Sequence, residues 1–384
     1  MEESMAHPQP PHSPPAPVAA TVRPTLSMEL FPPRSGPAAA ATWGRIDTLL
    51  STSPDFVSVT YRPRFVTDPR DDEGGAGVRV VREHNPAEDV VAHVLATSRV
   101  PLMAHLTCIG YRKRDVVEIV TLFLRMGVRR FLALRGDPPA GTAADELAGE
   151  LAHADDLVRV IREVEAEYFD DGRQHVTVAV AAYPATSDHA QAIEVLAAKQ
   201  DAGADMAITQ VFYDSQDYAA LLRGATYAGI TMPILPGLIP LTDLGRLTRL
   251  EALTGVRVPA HLRDALGSAS GARLVGRGLD ATLTLATELL AEGAPGLHLY
   301  TFNRTRPALD VVSHLRLGGI LTGSPPDPQM REAIERGYLQ ATPGGMPAFL
   351  QEAHSPLSPP SASRPGHPGT ASLSVSTSTV KETV

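Results

Sequence analysis

The sequence predicts an α/β chain: one closed (β/α)8 barrel, of the TIM-barrel type, between two disordered tails. Three observations lead there. Strand-like runs alternate with helix-like runs through the whole middle of the chain, the pattern of parallel strands joined by helical crossovers. Eight such units can be counted, and eight close into a barrel of roughly 250 residues or more. No Gly-x-Gly-x-x-Gly turn follows an early strand, which weakens the alternative of an open, doubly wound sheet.

The first strand lies in Thr25–Arg34, TLSMELFPPR. Side chains alternate along a strand, so Leu26, Met28 and Leu30 share one face and Ser27, Glu29 and Phe31 the other. Pro32 and Pro33 stop the ladder, leaving Glu29 near the strand's C-terminal end. Helix Ala38–Ser51 follows, with Trp43, Ile46, Leu49 and Leu50 on one face. Phe56–Thr60 is the second strand, and the Asp-, Arg- and Gly-rich stretch Pro63–Gly77 reads as a long loop. Asn85 is placed to cap helix Pro86–Thr97. Strand Val100–Leu106 leads into helix Lys113–Met126, closed by Gly127. Strand Val128–Leu134 is followed by a longer helical region, Asp145–Tyr168. Val176–Ala182 is nearly all apolar, as a strand covered on both faces should be, and helix Asp188–Ala202 ends at Gly203. Ala204–Thr209 is the sixth strand, with helix Ser215–Tyr227 after it. The seventh, Pro233–Leu238, is short and broken by prolines; helix Thr242–Leu253 and one or two helices within 259–292 follow. Leu297–Phe302 is the eighth.

Composition bounds the rest. The chain has 384 residues, 43% of them hydrophobic, enough for one large barrel at 23–350. The Pro-rich residues 1–22 and the Ser-, Pro- and Thr-rich residues 351–384 bury too little apolar surface to offset their ordering entropy and read as disordered tails. A net charge of −9 argues against general nucleic-acid binding. One cysteine, Cys108, rules out an intrachain disulfide and a cysteine zinc site, and fits a reducing cytoplasm. No apolar run has the length of a membrane span, and no secretory signal is visible.

In such a barrel the active site lies at the C-terminal strand ends. Those ends carry Glu29, Thr60, His105, Asp137, Tyr183, Gln210, Tyr300 and Arg304, whereas the strand starts are bland. A carboxylate inside an apolar run is expensive to bury without a partner, which makes Glu29 the leading candidate acid. Plain structural readings stay open: Thr60 as loop support, His105 as a core histidine, Arg135-Gly136-Asp137 as a turn with a local ion pair, Gln210 as a barrel-layer amide, Arg304 as a surface arginine. The strand ends show no metal-ligand cluster, no Gly-x-Ser-x-Gly elbow and no Schiff-base lysine. What remains is acid chemistry beside groups able to hold a planar heterocycle, which fits redox chemistry borrowed from an organic cofactor.

These residues resemble the methylenetetrahydrofolate reductase family, in its bacterial, catalytic-domain form. The resemblance runs from about Ser27 to Arg304, on Met28–Arg34 (MELFPPR), Phe56–Tyr61 (FVSVTY), Ala104–Cys108 (AHLTC), Ala133–Asp137 (ALRGD), Ala182–Pro184 (AYP), Asp201–Gln210 (DAGADMAITQ), Pro236–Pro240 (PGLIP) and Leu299–Arg304 (LYTFNR). It implies a cytoplasmic oxidoreductase of one-carbon metabolism and methionine biosynthesis. Such an enzyme reduces 5,10-methylenetetrahydrofolate to 5-methyltetrahydrofolate, with NADH or NADPH as reductant and FAD as hydride carrier. It implies that Glu29 is the general acid, held protonated near its working pH, and that Asp137 is the carboxylate facing flavin and pterin. Gln210, Asp137, Tyr300 and Arg304 would bind folate; Thr60, Tyr61, His105, Arg135, Gly136, Asp137, Ala154, Tyr183 and Lys199 fall on flavin-contact positions. Only tail follows residue 350, so no regulatory domain and no inhibition by S-adenosylmethionine are expected.

Departures cluster on the ribityl, phosphate and adenine side of the flavin. The usual Tyr-Pro-Glu-x-His-Pro is here Tyr183-Pro184-Ala185-Thr186-Ser187-Asp188, with His189 displaced. Contact positions for an Asp and an Asn hold Ala192 and Val195, His153 replaces an aromatic residue, and Arg62 stands where a small residue is usual. Two alternatives therefore accompany the FAD enzyme: a flavin-free reductase with direct hydride transfer from NADH to the folate iminium, and a non-catalytic folate-binding barrel. The presence of Glu29 speaks against the second. Oligomeric state is not legible.

Overall fold

The alternation in TLSMEL sorts its side chains between two cores. Leu26, Met28 and Leu30 enter a large core between strands and helices, while Ser27 and Glu29, both buried, lie outside that core. Burying each apolar side chain contributes roughly 1.5–3 kcal/mol, which offsets enclosing polar groups. The computed structural model describes residues 23–321 apart from 35, 62, 68–77, 82–83, 140, 143–146 and 148. Both expected tails, Arg62 and the 322–350 part of the expected barrel lie outside the described residues.

The chain runs β1 (Thr25–Leu30), α1 (Ala39–Leu50), β2 (Phe56–Val59), β3 (Arg64–Thr67), β4 (Val78–Val81), α2 (Pro86–Thr97), β5 (Leu102–Thr107) and α3 (Lys113–Met126). Next come β6 (Arg130–Leu134), α4 (Ala154–Phe169), β7 (Thr177–Ala182), α5 (His189–Asp201), β8 (Met206–Thr209) and α6 (Ser215–Tyr227). The last part is β9 (Ile234–Leu235), β10 (Gly237–Leu238), α7 (Leu244–Thr254), α8 (Ala260–Gly267), α9 (Gly271–Ala291), β11 (Gly296–Tyr300) and α10 (Thr305–Leu317).

The main sheet is ordered β10-β11-β1-β2-β5-β6-β7-β8-β9, all parallel. Its two edges are halves of one strand split at Pro236: β9 pairs with β8 and β10 with β11. Proline has no N–H to donate, yet its carbonyl still accepts from His298 N at 2.9 Å. The ring therefore closes with eight strand positions, as the sequence predicts.

An inner cluster of Phe56, Met103, Leu132, Ala179, Ile208 and Leu235, one residue from each of six strands, fills the space the ring encloses. Register sets Ser27 opposite both Phe56 and His298, and Glu29 opposite both Ser58 and Tyr300. The polar residues thus occupy the strand positions from that level up.

Two expectations are corrected. The stretch after Tyr61 is not all loop, because β3 and β4 form an antiparallel hairpin. RFVT and VRVV are β-branched runs that pair locally, and composition hid them. The helix expected from Asp145 starts at Ala154, where Asp156 Oδ2 accepts from His153 N at 3.1 Å and fixes the first turn. Asn85 caps α2 through Ala87 N at 3.0 Å, and Gly127 closes α3 at φ 98°.

Candidate active site

β1 places Glu29 at the barrel rim with 4% exposure. Its Oε1 accepts from Thr60 Oγ1 at 2.8 Å, at the end of β2. His105 Nδ1, from β5, lies 3.6 Å from the same oxygen, too long for a strong hydrogen bond. Burial pushes the His105 imidazole down to about 3, so near neutral pH the two do not form an ion pair.

The segment after β11 holds this strand end in place. Thr301 Oγ1 donates to Glu29 O at 2.6 Å. The Asn303 side chain brackets Phe31, accepting from its N at 2.9 Å and donating to its O at 2.6 Å. Phe302 and Asn303 sit at φ 50° and 53°, a region unusual for a bulky side chain, and the Phe302 ring stacks on Phe31 at 5.4 Å. Tyr300 OH donates to Thr209 O at 2.7 Å. Burial first, then the Glu29 and Tyr183 charges, push its phenol upward. Gly237 is required beside it, because a Cβ there would come within 2.5 Å of the Tyr300 ring and 2.4 Å of Thr209 O. Deeper in, Ser27 Oγ and His298 Nδ1 are 2.8 Å apart. Burial and then the His105 charge lower His298 to about 3.

The other flank is more open. Gly136, at φ 83°, presents Arg135 and Asp137 as exposed residues after β6; a Cβ there would lie 2.8 Å from Ile109 Cγ2. Both act on Tyr183: its surroundings and then Asp137 raise the phenol, and Arg135 opposes them. Lys199 is buried, donates to Ala181 O at 2.8 Å and lies 5.5 Å from the Tyr183 ring centroid. Burial lowers it to about 8, partly opposed by Asp155.

The expected residues thus fall into two groups: Glu29, Thr60, His105 and Tyr300, and Arg135, Asp137, Tyr183 and Lys199. Gln210 is half-buried at the end of β8, its N bonded to Ala182 O at 2.8 Å. Arg304 is exposed, with Nη1 3.3 Å from Asp243 Oδ2. Ala154 opens α4 and is buried. The Tyr61 ring turns into the outer core, edge-on to Phe123 at 5.6 Å, with its OH 3.4 Å from Glu88. Sequence reasoning missed Ser27–His298 and Asn303. The signal for His298 was there: a histidine inside LHLYTF is as anomalous as a glutamate inside TLSMEL.

The FAD that the resemblance implies can be tested against these residues. At the ring end, His105 Nε2 on β5 is buried with no hydrogen-bond partner among the described residues, and Arg135 and Asp137, exposed, follow the neighbouring strand β6. That end fits a planar heterocycle. At the other end, Ala192, Val195 and Lys199 form one stripe of α5 by helical spacing. Val195 is 44% exposed and offers no donor, and the Lys199 ammonium is already bonded to Ala181. The stripe does not fit a diphosphate and adenylate.

Fold and site together define the class: a parallel α/β barrel with a buried carboxyl at its C-terminal strand ends. The family model for methylenetetrahydrofolate reductase matches residues 17–316. The 5,10-methylenetetrahydrofolate reductase of Escherichia coli K12 is 31% identical over 287 residues, covering 73% of this chain and 86% of that one. A probable methylenetetrahydrofolate reductase (NADPH) of Caenorhabditis elegans is 30% identical, covering 76% of this chain and 42% of that one. A probable methylenetetrahydrofolate reductase (NADH) of rice is 30% identical, covering 78% and 49%. The chain thus spans under half of these two eukaryotic relatives. It belongs to the methylenetetrahydrofolate reductase family.

Proposed function

We propose that this chain reduces 5,10-methylenetetrahydrofolate to 5-methyltetrahydrofolate at the expense of NADH or NADPH, with Glu29 as general acid. The observation that carries the reading is Glu29 itself: buried at a strand end, bonded to Thr60, and beside a neutral His105. A protonated carboxyl there delivers its proton to the folate N10 as the five-membered ring opens. Thr60, by donating to Oε1, orients the carboxyl for that transfer. Ring opening leaves a 5-iminium cation, which the exposed Asp137 carboxylate stabilises. Hydride addition at the methylene carbon completes the methyl group. Gln210, Tyr300 and Arg304 hold the folate.

The flavin reading rests on Thr60, His105, Arg135, Gly136, Asp137 and Tyr183, which would hold a ring system that carries hydride between the two substrates. A second reading is favoured by the apolar α5 stripe, in which the nicotinamide gives its hydride to the folate directly. Incubating the purified chain with NADH or NADPH and 5,10-methylenetetrahydrofolate should yield 5-methyltetrahydrofolate by mass spectrometry. Absence of product with either reductant, with and without added FAD, overturns the proposal. The visible absorption spectrum of the same preparation separates the two readings. A cytoplasmic location belongs to the same reading, and the single cysteine is compatible with it. Among the described residues no helix is long and apolar enough to cross a membrane.

A further inference from the structure

The turn that follows β11 reaches back 272 positions in the chain and grips β1 just past Glu29. Thr301 Oγ1 donates to Glu29 O at 2.6 Å. Asn303 Oδ1 accepts from Phe31 N at 2.9 Å, and its Nδ2 donates to Phe31 O at 2.6 Å. The three backbone atoms belong to successive peptide groups: Glu29–Leu30, Leu30–Phe31 and Phe31–Pro32. The Thr301 hydroxyl also accepts from Asn303 N at 3.1 Å, which joins the two side chains into one unit. Both residues are buried.

Closing the barrel does not call for this grip. β1 is already registered with β11 from Thr25 to Glu29 and with β2 from Ser27 to Leu30, and Phe31 lies beyond both ladders. Phe302 and Asn303 nevertheless hold a left-handed conformation that side chains other than glycine enter at a cost. That conformation sets the Asn303 amide on the Phe31 backbone and the Phe302 ring on the Phe31 ring. With the ladder on one side of Glu29 and the grip on the other, its Cα has no freedom to shift, and the carboxyl meets Thr60 from a fixed origin. The strand's opposite end is tied as well: Asp55 Oδ2 accepts from Leu26 N at 2.8 Å and the carboxylate pairs with Arg23. That tie provides a control on the same strand, remote from the acid.

We propose that Thr301 and Asn303 are positioning residues for the acid, which hold Glu29 in place for proton delivery and so set kcat rather than folate affinity. This rests on the reductase reading. Neither residue acts on the folate itself; both act through the backbone of Glu29 and Phe31. Rate is steep in such placement, since a shift of about 1 Å can cost ~10²-fold. A residue that only stabilises the fold would leave the rate per folded molecule unchanged.

The test compares the full-length wild type with Thr301→Val, Thr301→Ser, Asn303→Asp and Asp55→Ala, well below each unfolding midpoint, using 5,10-methylenetetrahydrofolate with NADH or NADPH. Valine keeps the shape of threonine without its hydroxyl, serine keeps the hydroxyl, and aspartate keeps the acceptor for Phe31 N but loses the donor to Phe31 O. In Thr301→Val, kcat is expected to fall about tenfold while the dissociation constant for folate stays within about twofold of wild type. Asn303→Asp falls in the same sense. Thr301→Ser stays within about twofold of wild type in both quantities, and Asp55→Ala loses stability but keeps kcat. A wild-type kcat in Thr301→Val, a loss confined to folate binding, or an equal fall of kcat in Asp55→Ala overturns the proposal. Crystal structures of Thr301→Val and Asp55→Ala give an answer independent of turnover. Glu29 Oε1 beyond hydrogen-bond distance of Thr60 Oγ1 in the first and within it in the second supports the proposal, and a Glu29 carboxyl in the wild-type position in Thr301→Val overturns it. Absence of turnover in wild type defeats the reductase reading instead, and the two structures still decide whether the grip places Glu29.

Discussion

On the side of the rim built by β11, β1, β2 and β5, Glu29, Thr60, Thr301 and Asn303 are buried or half-buried and tied to one another's strand ends. On the side built by β6, β7 and α5, Arg135, Asp137, Tyr183 and Val195 are exposed, and α5 turns a partly apolar stripe outward. The proposed proton delivery needs an atom fixed to within a few tenths of an ångström, a demand that the paired strand ends and side-chain clamps of the first side suit. Holding a large cofactor needs many donors over a long surface, and the second side does not supply its full set. The difference sets a tightly tied, buried flank against an open flank poor in donors.

The largest effect that would break this contrast is acid lability of the buried flank. His105 and His298 are both lowered to about 3 when folded, against 6.5 unfolded. Between those values the unfolded chain binds more protons, so stability rises with pH through the window and is lost on acidification, at ~1.4 kcal/mol per unit per site. Urea unfolding at pH ~7 and ~4.5 should show several kcal/mol lost in wild type and clearly less in His298→Gln. An identical acid loss in both would mean that the interior histidines are not what acid attacks.

Next is the Asn303 clamp. Asn303→Ala leaves Phe31 N and O without their partner and should destabilise by about 2–4 kcal/mol in thermal or urea unfolding. A change below ~0.5 kcal/mol would show that the clamp is not structural.

Lys199 sets a smaller window of the same sign at the alkaline end. With a folded value of about 8 against 10.5 unfolded, the native state sheds its proton first, so stability should rise by about 1–3 kcal/mol between those values. Lys199→Met should flatten that slope. A slope unchanged by the substitution removes Lys199 as its source.

Smallest in stability, and sharpest for the comparison, is the α5 stripe. Ala192→Asp with Val195→Asn should shift unfolding by no more than ~0.5 kcal/mol each and raise retention of added FAD in gel filtration. Wild-type protein that purifies with one flavin per chain would dissolve the contrast between the flanks.

The fold was legible because periodicity and strand-end prolines report local geometry directly. TLSMEL and VTVAVAA read as strands from side-chain alternation and burial alone. Glu29 was legible for the same reason, as a charge that did not belong in its run. The β3–β4 hairpin was not, because its turn segment is so rich in Asp and Gly that it masked two short β-branched runs. Nor was the Asn303 clamp. It joins residues 272 positions apart, and only closure of the barrel brings them together. Tyr61 shows a third limit: its neighbour Thr60 meets the acid, and strand alternation turns Tyr61 the other way.

The most direct test of the central claim is Glu29→Gln compared with wild type for 5-methyltetrahydrofolate formation, with folate binding and circular dichroism measured on both. The account predicts that the variant folds and binds folate as wild type does, while turnover falls about 10²–10⁴-fold, the usual contribution of a positioned acid. Turnover equal to wild type in the variant would contradict it.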